Sequence, residues 1–598
     1  MVETERRWDE SREQDKASAS HQGLQWESPV EDSAGHRRRV LLATVEIATG
    51  LIAFFPVGLA ATARTSIPSF VFKKYASEIP PLQRTQEWGT LSRGGLRNDR
   101  WTAVARSPLL PSSEVKDAAA GVQLRRNSLG LPELIFHGIT HIAPATNVIF
   151  TFPIIAMKAG PAMPISFLLT TIVCLFIANT VAEFSRYMPS SGGYYSFATR
   201  GLGSRIGFVA TWSYLIYDIL GPAASSGFLG YLLSDTLHSG FDVHVPWWLF
   251  AVATFVVIWF FTYYGVRFSM HTTALLGGAE MLIMLALAFT FLRHPGPGSH
   301  YSAPVQPILS PHHYQGILAG MVFSVLALSG FEAPAPLAQE SRRPGRFVAW
   351  AVMLSLLAIG VFYVFTSYAS AIGWGTGNMA AFAADDNPYY ALGHKLWGSA
   401  WWLVILAIIN SAVGAGLACT NAASRVMYTM GQTGTLPRAF GKIHPVHRTP
   451  TFAIAFLQVC GLVPVLIVGL LLRPEDIFNF LGTIATLAAI LLYAMANLAL
   501  TAYVRRELPQ HFSIWRHAVV PWMGTLALVP VFFVTMYPVP AWPYNVTPYC
   551  FVLILLAGVG YMYWLAARDP EALRRGATML VGSPLDAACD VNWDHTEN

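Results

Sequence analysis

Residues 317–346 read ILAGMVFSVLALSGFEAPAPLAQESRRPGR. The stretch opens as an apolar helix long enough to enter a bilayer. It breaks at Ser329-Gly330-Phe331-Glu332-Ala333-Pro334-Ala335-Pro336 and resumes towards Arg342, Arg343 and Arg346. Inside hydrocarbon, an unwound backbone is tolerated only where protein buries it or a water-filled cavity solvates it. An acid at that depth, Glu332, is expensive unless it has a task. A broken membrane helix with a carboxylate at the break reads as the substrate site of a transporter.

Composition places the rest of the chain in the same setting. Its 598 residues are 54% hydrophobic and 12% charged, where soluble domains carry about 25% charged residues. The mean hydropathy of +0.44 agrees with this imbalance. A soluble fold could not bury so much apolar surface, so the fold class is an all-α polytopic membrane protein with the lipid bilayer as its solvent. The net charge of +5 is small and implies no nucleic-acid partner. Cys174, Cys419, Cys460 and Cys550 lie in apolar segments and Cys589 near the C-terminus, with no disulfide or zinc spacing. His444-x-x-His447 lacks a third ligand, so no metal is expected. Asn545-Val546-Thr547 fits a glycosylation acceptor. There is no Walker, Rossmann or metalloprotease motif and no paired catalytic set. The sequence therefore argues against an enzyme, and no cofactor is expected.

Residues 1–122 differ in character from the rest of the chain. The first 39 are polar and end in His36-Arg37-Arg38-Arg39; residues 40–63 are apolar but carry Glu46 and Pro56; residues 64–122 are loop-like. This region reads as an N-terminal extension, mostly disordered, and a translation start near Val122 or Leu124 is one account of the contrast. Residues 123–570 form the core and 571–598 a cytoplasmic tail.

Twelve spans are expected in the core, at about 131–158, 163–187, 204–233, a fourth opening at Pro246-Trp247-Trp248, 270–291, the broken sixth, 347–372, 401–427, 452–472, 477–503, 517–537 and 549–567. Basic residues mark alternate loops: Arg186, Arg200 and Arg205; Arg267; Arg342, Arg343 and Arg346; Arg438, Lys442 and Arg448; Arg505, Arg506 and Arg516; Arg568, Arg574 and Arg575. The intervening loops offer Arg293, Lys395 and Arg473. By the positive-inside rule both ends of the core are cytoplasmic. A further span at 40–63 would put Arg37–Arg39 on the wrong side.

The first span is also interrupted, at Ala143-Pro144-Ala145-Thr146-Asn147. Matching interruptions in spans one and six point to a transporter built from inverted repeats. Freed N–H groups at such a break suit a carboxylate and freed carbonyls an ammonium. An amino-acid zwitterion offers both. Further charges lie within the spans: Asp218 in the third, Glu280 in the fifth and Glu183 at the cytoplasmic end of the second. Glu332, Glu280 and Asp218 are the candidate ion-coupling groups. Glu183 reads as a gate or loop anchor. Phe331 and Tyr217 could cover a bound substrate, and His141 precedes the first break.

Three segments resemble the amino acid–polyamine–organocation (APC) permeases. FSVLALSGFEAPAPLAQESRRPGR is similar to their sixth helix and its exit, and AEFSRYMPSSGGYYSF to their Ala-Glu…Met-Pro-x-x-Gly-Gly-x-Tyr signature. TNAASRVMYTMGQTGTLPRAFGKIHPVHRTP resembles their Asn-x-x-x-Arg…Gly-x-Leu-Pro…Pro stretch. The resemblance spans about 123–570. It implies a LeuT-type 5+5 inverted repeat with two additional helices, discontinuous helices 1 and 6, and secondary transport by alternating access. It also implies a proton-linked or gating role for Glu332 and a cytoplasmic-loop role for Glu340. Two positions depart from the family. Pro144-Ala145-Thr146 stands where Gly-Ser-Gly is common, and Ala338-Gln339-Glu340 where Ala-Glu-Glu is common. Some proton-coupled relatives carry a lysine in span five; here the nearest candidate is Glu280, of opposite sign.

The sequence thus predicts a multi-pass permease of the plasma or inner membrane that carries amino acids or polyamines. Residues 143–147 and 329–333 would form the substrate site, with H+ preferred to Na+ as coupling ion. Sodium coupling, exchange, and an amino-acid sensor that does not transport stay open as alternatives.

Overall fold

Pro144 decides the first local feature. Proline lacks an N–H and disfavours helical backbone in the residue before it, yet is well suited to start a helix. In the computed structural model, which describes residues 124–573 except 125, 386 and 538, and not the side chains of 266–268, helix α1 (Leu131–Ile142) stops at Ala143 and α2 (Pro144–Ala159) begins at once. Ala143 takes the left-handed conformation, φ 58° and ψ 65°. The extension at 1–122, its apolar segment 40–63, and Arg574, Arg575 and Cys589 lie outside the described residues.

The chain continues as α3 (Met163–Tyr187), α4 (Tyr194–Leu202), α5 (Ser204–Phe241), α6 (Trp247–Tyr263), α7 (Val266–Arg293) and α8 (His313–Leu328). It proceeds through α9 (Pro344–Trp374), α10 (Met379–Ala384), α11 (Pro388–Trp397), α12 (Trp402–Thr433), α13 (Thr451–Leu471), α14 (Ile477–Glu507), α15 (Val520–Met536) and α16 (Thr547–Arg568). Eight helical stretches are long and apolar enough to cross a membrane, and α6 and α8 are shorter apolar helices. Helix α5 runs 38 residues, well past the end expected from its apolar pattern. Helices α4, α10 and α11 were not anticipated. All the described residues fall within one compact unit.

The second break differs from expectation in one respect. After Leu328 the chain does not resume as an α-helix. Ser329 is extended and Gly330 has φ +118°, and a single 3-10 segment, Ala335–Glu340, follows. Pro334 and Pro336 explain this, since each removes a backbone donor that an α-helix would need.

The two breaks share a core. Helix α8 packs along α2, α1 along α9, α3 along α9 and α5 along α14. Helices α15 and α16 sit outside, with Leu526, Phe533, Tyr549 and Leu556 exposed. Apolar side chains facing outwards from long helices are what lipid contact requires.

Candidate functional site

The unwound backbones touch. A Cβ on Gly330 would meet His141 Nδ1 and lie 3.2 Å from both His141 C and Ile142 N. Asn147 fastens the same place from the side. Its amide nitrogen donates to Ile142 O at 2.5 Å and Ala327 O at 3.3 Å, while its oxygen accepts from Thr151 Oγ1 at 3.0 Å. One side chain therefore satisfies a carbonyl released at each break. Buried polar groups left without partners cost about 1–3 kcal/mol each. Asn147→Ala is accordingly expected to lower stability by roughly 2 kcal/mol in detergent unfolding. A loss below about 0.5 kcal/mol would show that this cross-link contributes little.

Glu332 is buried at the break and held on both oxygens. Oε2 accepts from Gly330 N–H at 3.1 Å and Oε1 from Tyr493 O–H at 2.8 Å. Phe331 stacks on Tyr493 with ring centroids 5.8 Å apart, and Ala333 is buried behind it. Ser329 turns its hydroxyl back to Val325 O at 2.8 Å. Tyr493, from α14, was not singled out in the sequence. Nothing distinguishes it from the other aromatics of a membrane helix until the fold places it.

Asp218 sits opposite, on α5, with Oδ1 2.7 Å from His141 Nε2. Asp218 Oδ2 and His141 Nδ1 are buried without hydrogen-bond partners among the described residues. Cys419 of α12 completes a buried trio whose donor atoms lie within 4.8 Å of one another. That set could hold a divalent metal, although the facing atoms of Asp218 and His141 are already bonded to each other. Tyr217 is buried 6.1 Å from the His141 ring.

Glu280 approaches from α7 and reaches the start of α2. Its Oε2 accepts from Ala145 N–H at 3.4 Å, and Ser411 Oγ on α12 accepts from Thr146 N–H at 3.1 Å. Asn147 N–H donates to Ala143 O at 3.0 Å, and Pro144 has no N–H to offer. The donors expected to face a substrate carboxylate are thus engaged by the protein itself. Ser411 was another residue the sequence reading missed.

Glu340 and Glu183 lie elsewhere. Glu340 ends the 3-10 segment, where its Oε1 accepts from Arg425 Nε at 2.9 Å with both side chains fully buried. Arg425 also donates to Asn421 O and Oδ1 and to Ser424 Oγ, at 3.0, 3.1 and 3.1 Å. The Glu340 carbonyl accepts from Ser128 and Leu129 N–H, and Leu129 pairs with Ser341 in an isolated parallel bridge. This knot closes the end of the molecule that bears the arginine-rich connections. Glu183 anchors a second cluster at that end, within 2.9 Å of Arg186, 3.1 Å of Arg516 and 3.3 Å of His517. At the opposite end, beyond the C-terminus of α2, a cavity of about 690 Å³ is lined by residues including Met157, Gly160, His300, Pro311 and Thr376.

Comparison with known proteins adds the family context. The family described as amino acid permease matches residues 134–570. The branched-chain amino acid permease BcaP of Bacillus subtilis (strain 168) is 28% identical over 433 residues, covering 68% of this chain and 88% of that protein. The low-affinity putrescine importer PlaP of Escherichia coli (strain K12) is 23% identical over 427 residues, 70% of this chain and 90% of its own. A methylthioribose transporter of Bacillus subtilis (strain 168) is 26% identical over 466 residues, 74% and 94% respectively.

Proposed function

The chain belongs to the amino acid permease family, and on that premise we propose that it moves amino acids or related amines across the membrane by alternating access, driven by protons. The observation that carries this reading is the meeting of two broken helices at one buried carboxylate, with Gly330 against His141 and Glu332 tied to Gly330 and Tyr493. Helices broken at matching depths, with a binding site between them, are the working part of inverted-repeat transporters. The pairing of α2 with α8 and of α1 with α9 supports a LeuT-type repeat of twelve spans, and the basic residues of alternate loops support placing the arginine-rich end and both termini in the cytoplasm. The knot at Glu340 and Arg425 would be the closed cytoplasmic gate, and the cavity near Met157 the open outer vestibule. Rocking the broken spans against the rest would exchange the two. Relatives that carry branched-chain amino acids and putrescine support substrates of both kinds.

Glu332→Gln is the direct test. Glutamine keeps an oxygen for the Gly330 N–H and can donate its amide N–H to the Tyr493 hydroxyl, which then accepts, so the break should stay folded while the titrating group is lost. Proteoliposomes carrying the wild-type chain should accumulate a radiolabelled member of a mixed amino-acid and polyamine set under an imposed proton gradient. The variant should lose gradient-driven accumulation. Accumulation that instead requires sodium would replace the proton by Na+. Binding without accumulation under either gradient would indicate an exchanger or a sensor.

A further inference from the structure

We infer that the substrate is an amine without an α-carboxylate, because Glu280 already fills the place at the first break where a substrate carboxylate would bind. The inference rests on the transport reading above and narrows it. Helix α2 exposes at its N-terminus the N–H groups and positive dipole end that attract anions. Here Ala145 N–H points to Glu280 Oε2, Thr146 N–H to Ser411 Oγ, and Asn147 N–H to the Ala143 carbonyl. Pro144 supplies no donor. A carboxylate brought to this spot would find no free N–H and would face a buried acid.

The opposite wall asks for a cation. Asp218 Oδ2 makes no close hydrogen bond among the described residues, with the Tyr214 hydroxyl and the Cys419 thiol as its polar neighbours, and Asp218 lies beside the unwound backbone through His141. Glu332 lies across the break with its oxygens held by Gly330 and Tyr493. Buried polar atoms without partners are rare in folded proteins and call for a ligand or water. An ammonium group supplies three donors and no acceptor, the complement of such a surface. Arg425 is the buried cation on the gate side, and it is committed to Glu340.

The test pairs each amino acid with the amine left by removing its carboxylate: lysine with cadaverine, and leucine with isopentylamine. Wild-type protein in proteoliposomes is loaded with whichever radiolabelled compound of the mixed set it accumulates, and each partner competes. In the pair that competes, the amine is expected to do so at least about tenfold better, a difference of about 1.4 kcal/mol. Glu280→Ala frees the Ala145 N–H and empties the place, so the preference for the amine, read as the ratio of the two competition constants, should narrow towards unity. An amino acid that competes as well as its amine, or better, would overturn the inference and leave the transport reading intact. Uptake of no compound under any gradient would overturn both. Should Glu280→Ala fail to fold, the wild-type competition still decides.

Discussion

Alanine at Arg425 is expected to destabilise the protein by roughly 3–5 kcal/mol, the usual cost of removing one partner from a buried ion pair. The guanidinium reaches Glu340 at 2.9 Å, and neither side chain is more than 1% exposed. Without Arg425 the Glu340 carboxylate would be stranded beneath the Leu129–Ser341 bridge, away from water. Thermal unfolding in detergent should show the loss. Replacing both residues with apolar side chains, Arg425→Met with Glu340→Leu, should restore most of it, because matched hydrophobic replacement of a buried pair is often neutral. The double variant should then fold yet hold the arginine-rich end less firmly, exposing a cysteine introduced at Ser128 to a polar thiol reagent. A single variant within about 1 kcal/mol of wild type would show that the pair is not sealed.

The broken helices were legible in the sequence because each is written in local chemistry. Pro144 following Ala143, and Ser329-Gly330 followed by two prolines, disfavour a continuous helix by their own residue types. Family and membrane setting were legible for the same reason, from composition and from motifs contiguous in the chain. What the sequence hid is what the fold assembles from distant segments. Tyr493 meets Glu332 across 161 positions and Ser411 meets Thr146 across 265. Neither residue type is unusual where it stands. Arg425 was within reach, since it is the arginine of the Asn421-x-x-x-Arg425 match, but only the structure joins it to Glu340. Glu280 was flagged for its depth alone. Its position at the head of α2 depends on how α7 crosses α1, and no periodicity records that.

Gly330→Ala should cut gradient-driven uptake on the order of 100-fold, the scale on which an ångström of misplacement at a working site is felt. Two effects combine. The residue has φ +118°, a conformation that L side chains rarely adopt. The added methyl would also run into His141 Nδ1 and press on the backbone of His141 and Ile142 at 3.2 Å. Relief requires the two breaks to separate, which would pull the Gly330 N–H from Glu332 and shift His141 from Asp218. Gly203→Ala separates the two effects. Gly203 also has positive φ, +91°, but a Cβ there meets nothing within 4 Å. That variant should lose roughly 1–3 kcal/mol of stability from a backbone conformation essentially reserved for glycine, and keep its uptake. Equal loss of uptake in both variants would mean that strain anywhere in the bundle is enough. Normal uptake by Gly330→Ala would mean that contact between the breaks is not part of the transport cycle.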